Sequence, residues 1–135
     1  MHRLLKRENR PVKETGAEDP GEDFIIAMKK LQVLTIKLKG RQRFLRLLGD
    51  SSKLKGLRSG LVTLKPQESI GEHKTDKKEE IIVILKGSAT IYYAKNKKIK
   101  APRNTFVYIP PDTLHNLENS GSKILQYVYV TAQVA

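Results

Sequence analysis

The sequence predicts an all-β fold, an antiparallel sandwich or barrel, on three observations. Short apolar stretches recur about every ten residues from Leu61 onward. Gly, Pro or Asn, residues that punctuate strands, stand between them. The run Ile81–Leu85 is continuously apolar and mostly β-branched, as in a strand covered on both faces.

The elements follow in order. Residues 1–23 read as a flexible tail, polar and mixed in charge, with Pro11, Gly16, Pro20 and Gly21 and no sustained period. Residues 24–135 form one domain. Phe24 to Leu38 alternates loosely and reads as one or two strands, though Phe24 to Leu34 also fits a helix. Arg41 to Leu48 is basic with interleaved Phe and Leu, and Gly49 to Gly60 reads as a loop. Strands are expected at Leu61–Leu64, Ile81–Leu85, Ala89–Ala94, Thr105–Ile109, His115–Asn119 and Ile124–Val130. Ala94–Lys98 is a lysine-rich hairpin turn. In Ile81–Leu85, Ile82 and Ile84 share one face and Ile81, Val83 and Leu85 the other. A second sheet or another subunit is therefore expected over each.

Composition bounds the function. The chain of 135 residues has no cysteine, which excludes disulfides, thiolate metal sites and cysteine nucleophiles. No apolar run approaches the ~20 residues of a membrane span. The basic N-terminal stretch has no continuous apolar core, so no secretory leader is expected and a cytoplasmic location is the default. Net charge is +12, concentrated in residues 28–60, which hold 10 Lys and Arg against 1 acid. Such a block attracts phosphate. Aromatics are only 6% and tryptophan is absent, so stacking platforms for nucleic acid are lacking, and a solvated lysine-rich surface is the preferred reading.

The chemistry concentrates on few residues. Of three histidines, His73 and His115 sit beside strands, and Glu80 opens the Ile81–Leu85 run. Imidazole and carboxylate are the groups that hold Fe, Mn, Ni or Zn when cysteine is absent. Two histidines and a glutamate brought together on facing strands would leave coordination positions open for a ligand. Glu79 should face solvent, opposite Glu80, and Thr75 should share the inward face of His73.

These positions carry a resemblance. His73, Thr75, Glu80 and Gly87 fall at the spacing of the first cupin motif, His-x-His, then Glu, then Gly, with Thr75 where the second histidine belongs. Asn104, Pro110, Asp112, His115 and Asn119 fall on the second motif, with Asn104 and Asp112 in place of its two glycines. The stretch Leu61 to Asn119 thus resembles a small single-domain cupin. The resemblance implies a jelly roll and a metal site at His73, Glu80 and His115, with Thr75 as a possible fourth position. A threonine hydroxyl is a poor neutral ligand. Three outcomes stay open: metal held by three residues and water, metal held weakly, or metal lost and the histidines used as acid, base or hydrogen-bonding groups. Gly87 is expected as a turn residue of positive φ, and Asn119 as a turn cap.

The resemblance covers isomerases, epimerases, oxygenases, decarboxylases and non-catalytic binders, and the fold does not choose among them. The expected function is a small metal-binding cupin that acts on or binds a small anionic metabolite, favoured by Lys74, Lys77, Lys78 and Lys86 near the rims. The alternative is a non-catalytic module for a small molecule or a protein. A homodimer is expected, and neither a nucleic acid nor a membrane as partner.

Overall fold

The computed structural model describes residues 31–49 and 54–134. Expectations on residues 1–30, including the tail at 1–23, lie outside the described residues. Among the described residues there are nine strands and no helix. The strands are β1 (Phe44–Leu48), β2 (Leu57–Leu64), β3 (His73–Lys74), β4 (Lys78–Lys86), β5 (Ser88–Tyr93), β6 (Lys97–Pro102), β7 (Phe106–Ile109), β8 (Leu114–Asn119) and β9 (Leu125–Gln133). They form a five-stranded sheet in the order β1-β2-β9-β4-β7 and a four-stranded sheet in the order β3-β8-β5-β6. All pairings are antiparallel. This is the expected all-β jelly roll, two sheets enclosing one core.

The register explains why one end is sealed and the other polar. Side chains of a strand alternate between faces, so residues paired across strands form rows. On the inner face of the large sheet one row runs Val62–Tyr127–Ile84 and the next runs Gly60–Tyr129–Ile82–Val107. Ile82, Ile84, Tyr127 and Val62 are buried in the core with Leu117, Ile91 and Ala89 of the small sheet. Burying one such Leu or Ile contributes about 1.5–3 kcal/mol relative to leaving it in water. Gly60 belongs to this packing. A Cβ there would lie 2.3 Å from the Phe44 ring and 2.7 Å from the Tyr129 ring, so only glycine lets the two rings sit beside the strand. The third row, Arg58–Thr131–Glu80–Ile109, is polar except for the buried Ile109 and faces the open end.

Several sequence expectations are corrected. Leu31 to Leu38 carries no strand, because no neighbouring strand is there to take its backbone hydrogen bonds; Leu31, Val33 and Leu38 are exposed. The basic stretch from Arg41 contains β1 instead. The loop expected over Gly49–Gly60 ends early, since β2 starts at Leu57 and pairs along its length with β9. Strand β6 was hidden by its lysines. It is the edge of the small sheet, and Lys97, Lys98 and Lys100 are exposed there, which guards the edge against further pairing.

The doubly apolar run is β4. Its Ile82–Ile84 face is covered by the second sheet. On the outer face Leu85 packs with Leu45, Leu47, Leu61 and Val128, and Ile36 of the segment leading into β1 lies against this group. Further along that face, Phe106 and Tyr108 of the edge strand β7 remain 64% and 51% exposed. Glu79 points outward as expected and accepts a hydrogen bond from the Tyr108 hydroxyl at 2.6 Å.

Candidate metal centre

Strands β3 and β8 set His73 directly opposite His115. Their rings stand 4.2 Å apart, centroid to centroid, tilted by 57°. Glu80 arrives from the other sheet, on the inner face of β4. The ligand atoms of His73, Glu80 and His115 lie within 4.8 Å of one another. Glu80 and His115 are buried and His73 is half-buried. His115 lies 35 residues beyond Glu80 along the chain, and strand pairing and the facing of the two sheets bring the three residues together.

The same local device orients both imidazoles. His73 Nδ1 lies 2.9 Å from the Gly71 carbonyl, and His115 Nδ1 lies 3.0 Å from the Thr113 carbonyl. A carbonyl only accepts, so each Nδ1 carries its proton and donates it. Each Nε2 is thereby left to the cluster. Backbone anchoring of the far ring nitrogen is how metal-ligating histidines are held. His115 Nε2 stands 3.1 Å from Glu80 Oε1, a contact that needs a proton between them. Burial works to lower the His115 pKa, but the hydrogen bond to Glu80, the Thr113 carbonyl and the Glu80 charge outweigh it, and the net shift is upward. His73 moves downward, chiefly through burial and then through the charge of His115. Without a cation the cluster therefore keeps a proton between His115 and Glu80 and a neutral His73. A divalent cation in place of that proton meets two imidazole nitrogens and one carboxylate, a donor set that suits a transition metal.

Thr75 is buried and lines the same cavity. Its hydroxyl donates to the Pro110 carbonyl at 2.8 Å and accepts the Thr113 N–H at 2.9 Å. It thus ties the β3 end to the turn that leads into β8. Two turns explain two motif departures. Asn104 and Asp112 have φ of +65° and +52°, the left-handed region that asparagine and aspartate enter more readily than other non-glycine residues. They do the work of the glycines they replace. Gly87 has φ of +77°, as expected. Asn119 caps its turn: Nδ2 donates to the Leu64 and Lys123 carbonyls and Oδ1 accepts the Gly121 N–H.

A cavity of about 260 Å³ opens beside the centre. His73, Thr75 and Glu80 line it, with Tyr127 and Tyr129 on the apolar side and Arg58, Lys74, Lys78 and Asp76 among its polar lining. Burial first, then the Glu80 charge, pushes the Tyr127 phenol well above its usual range, so it stays neutral and keeps its proton. Of the expected rim lysines, Lys74 and Lys78 line the cavity, whereas Lys86 lies at the other end of β4. Sequence reasoning missed Arg58, because it falls in a stretch read as loop. The one available signal was the alternation Arg58, Gly60, Val62 on a single face.

A two-sheet jelly roll with a His-Glu-His cluster at its open end is the architecture of a cupin. The chain belongs to the cupin domain family, whose model matches residues 60–131. No curated protein sequence matches the chain. Solved structures show the same fold. A predicted oxalate decarboxylase from Thermotoga maritima has a TM-score of 0.62 and 23% identity, over 67% of this chain and 79% of that one. The Cnp3 cupin domain of Schizosaccharomyces pombe has a TM-score of 0.66 and 14% identity, over 76% and 75%. An RmlC-like cupin family protein with a double-stranded β-helix fold from Methanocaldococcus jannaschii has a TM-score of 0.60 and 18% identity, over 76% and 90%. Among the described residues no helix is long and apolar enough to cross a membrane.

Proposed function

We propose that His73, Glu80 and His115 hold one divalent transition metal, Fe, Mn, Ni or Zn, and that the chain binds or acts on a small anionic metabolite beside it. The observation that carries this reading is the convergence of three ligand atoms within 4.8 Å at the wall of a cavity. A metal held there supplies Lewis acidity toward a carbonyl or carboxylate oxygen. The protein's own groups do the rest. The Gly71 and Thr113 carbonyls hold the two imidazoles in place, and Tyr127 offers a phenol that keeps its proton. Lys74 and Lys78 favour an anion at the cavity.

Metal analysis of tag-free protein tests this. The expected result is about one ion per chain, lost in His73→Ala and in His115→Ala while the fold is kept. No metal under any loading condition, with ligand binding unchanged in both variants, would instead support the non-catalytic binding module.

A cytoplasmic homodimer is part of the same reading. The location rests on the sequence argument. The dimer is supported by the exposed Phe106 and Tyr108 beside Ile81 and Val83 on the outer face. A monomer in light scattering would end that part.

A further inference from the structure

We infer that Thr75 is the positioning residue of His115: its hydroxyl fixes the Thr113 backbone, whose carbonyl orients the His115 imidazole, and it is not itself a metal ligand. The inference rests on the metal-binding reading and deepens it, because Thr75 stands where the motif has its second histidine.

Four hydrogen bonds carry the argument. His115 Nδ1 donates to the Thr113 carbonyl at 3.0 Å. The same carbonyl accepts the Thr75 N–H at 3.2 Å. A carbonyl oxygen has two lone pairs, so these two donors fill it. The Thr113 N–H donates to Thr75 Oγ1 at 2.9 Å, and Thr75 Oγ1 donates to the Pro110 carbonyl at 2.8 Å. One residue thus holds Thr113 at both its N–H and its C=O.

The turn into β8 depends on that hold. Pro110 and Pro111 have no N–H to give. The two backbone donors of residues 110–113 are Asp112, which bonds the Asp76 carbonyl at 2.8 Å, and Thr113, which bonds the Thr75 hydroxyl. Segment 75–76 takes both. Removing the hydroxyl frees the Thr113 N–H and the Pro110 carbonyl together, and the Thr113 carbonyl loses half of its restraint. His73 is the internal control. Its anchor is the Gly71 carbonyl, and the Gly71 N–H is held by Asn116 Oδ1 at 3.0 Å, with no part for Thr75. A hydroxyl has one proton and two lone pairs. The proton and one lone pair of Thr75 are committed to backbone, which suits a fastening and not a ligand.

Thr75→Val keeps the shape and removes both hydroxyl bonds; Thr75→Ser keeps both. Two measurements decide. Zn(II) affinity by competition calorimetry should fall at least about tenfold in Thr75→Val and stay within about threefold in Thr75→Ser. In metal-free protein, the His115 Nδ1–H resonance should shift or exchange away in Thr75→Val and return in Thr75→Ser, while that of His73 stays in place. Thr75→Ala takes the place of valine if that variant does not fold. Zn(II) affinity within about twofold of wild type in the valine variant, or serine as weak as valine, would overturn the inference. So would weakened Zn(II) binding with an unmoved His115 Nδ1–H resonance, the signature of a direct ligand. If the wild-type protein binds no Zn(II), the metal reading falls, and the metal-free resonances still decide the role of Thr75.

Discussion

Replacing Asn119 probes how β8, and with it His115, is fastened to the rest of the barrel. Asn119 is fully buried at the C-terminal end of the strand. Its Nδ2 donates to the Leu64 carbonyl at 2.9 Å and to the Lys123 carbonyl at 2.8 Å, and its Oδ1 accepts the Gly121 N–H at 3.0 Å. Asn119→Ala removes all three bonds. The Leu64 carbonyl is left in the buried interior and bears most of the desolvation penalty, about 1–3 kcal/mol. The Lys123 and Gly121 groups lie nearer solvent, and water replaces much of what they lose, at about 0.5 kcal/mol each. The expected destabilisation is about 3 kcal/mol, or a fall of roughly 10–15 °C in Tm for a domain of this size. Urea unfolding with an unchanged slope would measure it. Asn119→Asp sharpens the test. It keeps the acceptor for Gly121 but turns both donor contacts into oxygen facing oxygen. It should therefore be at least as harmful as alanine. A loss under about 1 kcal/mol for alanine, or a tolerated aspartate, would refute the argument.

The candidate metal centre should respond to pH. The upward-shifted His115 must lose its proton to bind metal, so affinity for Zn(II) should climb as pH rises from about 6 and level off once the His115 pKa is passed. Proton release measured by calorimetry in buffers of different ionisation enthalpy would check this; a flat affinity between about pH 6 and 8 would contradict it. Gly87→Ala should cost about 2 kcal/mol or more, because φ is +77° and a Cβ would sit 2.5 Å from the Ile124 carbonyl oxygen and 3.0 Å from the Leu125 Cα. Both neighbours are backbone and cannot swing aside. Denaturant unfolding would show it, and a change within about 0.5 kcal/mol would mean that the turn relaxes freely.

The amino-acid sequence by itself determined the strand-rich class and most of the strands from Leu61 onward. Apolar runs between turn residues are local signals, and β4, β5, β7, β8 and β9 all carry them. It also marked the tight turn at Gly87, since a positive φ is a property of one residue; Asn104 and Asp112 stood out only as departures from the motif's glycines. The candidate ligands were legible only as a pattern of spacings that resembles a family. Nothing local in His73, Glu80 or His115 says that they meet.

Tertiary structure decided the rest. The register that sets His73 opposite His115 depends on which strands pair. The meeting with Glu80 depends on how two sheets face each other. Strand β6 was obscured because it is an edge strand whose lysines are exposed, and β1 because Arg46, buried in the fold, interrupts its apolar run. Arg58 was obscured for a related reason: Arg58, Ser59 and Gly60 look like loop until Tyr129 and Phe44 are seen filling the space above the glycine. Pairing and facing are long-range properties, and a linear chain does not display them.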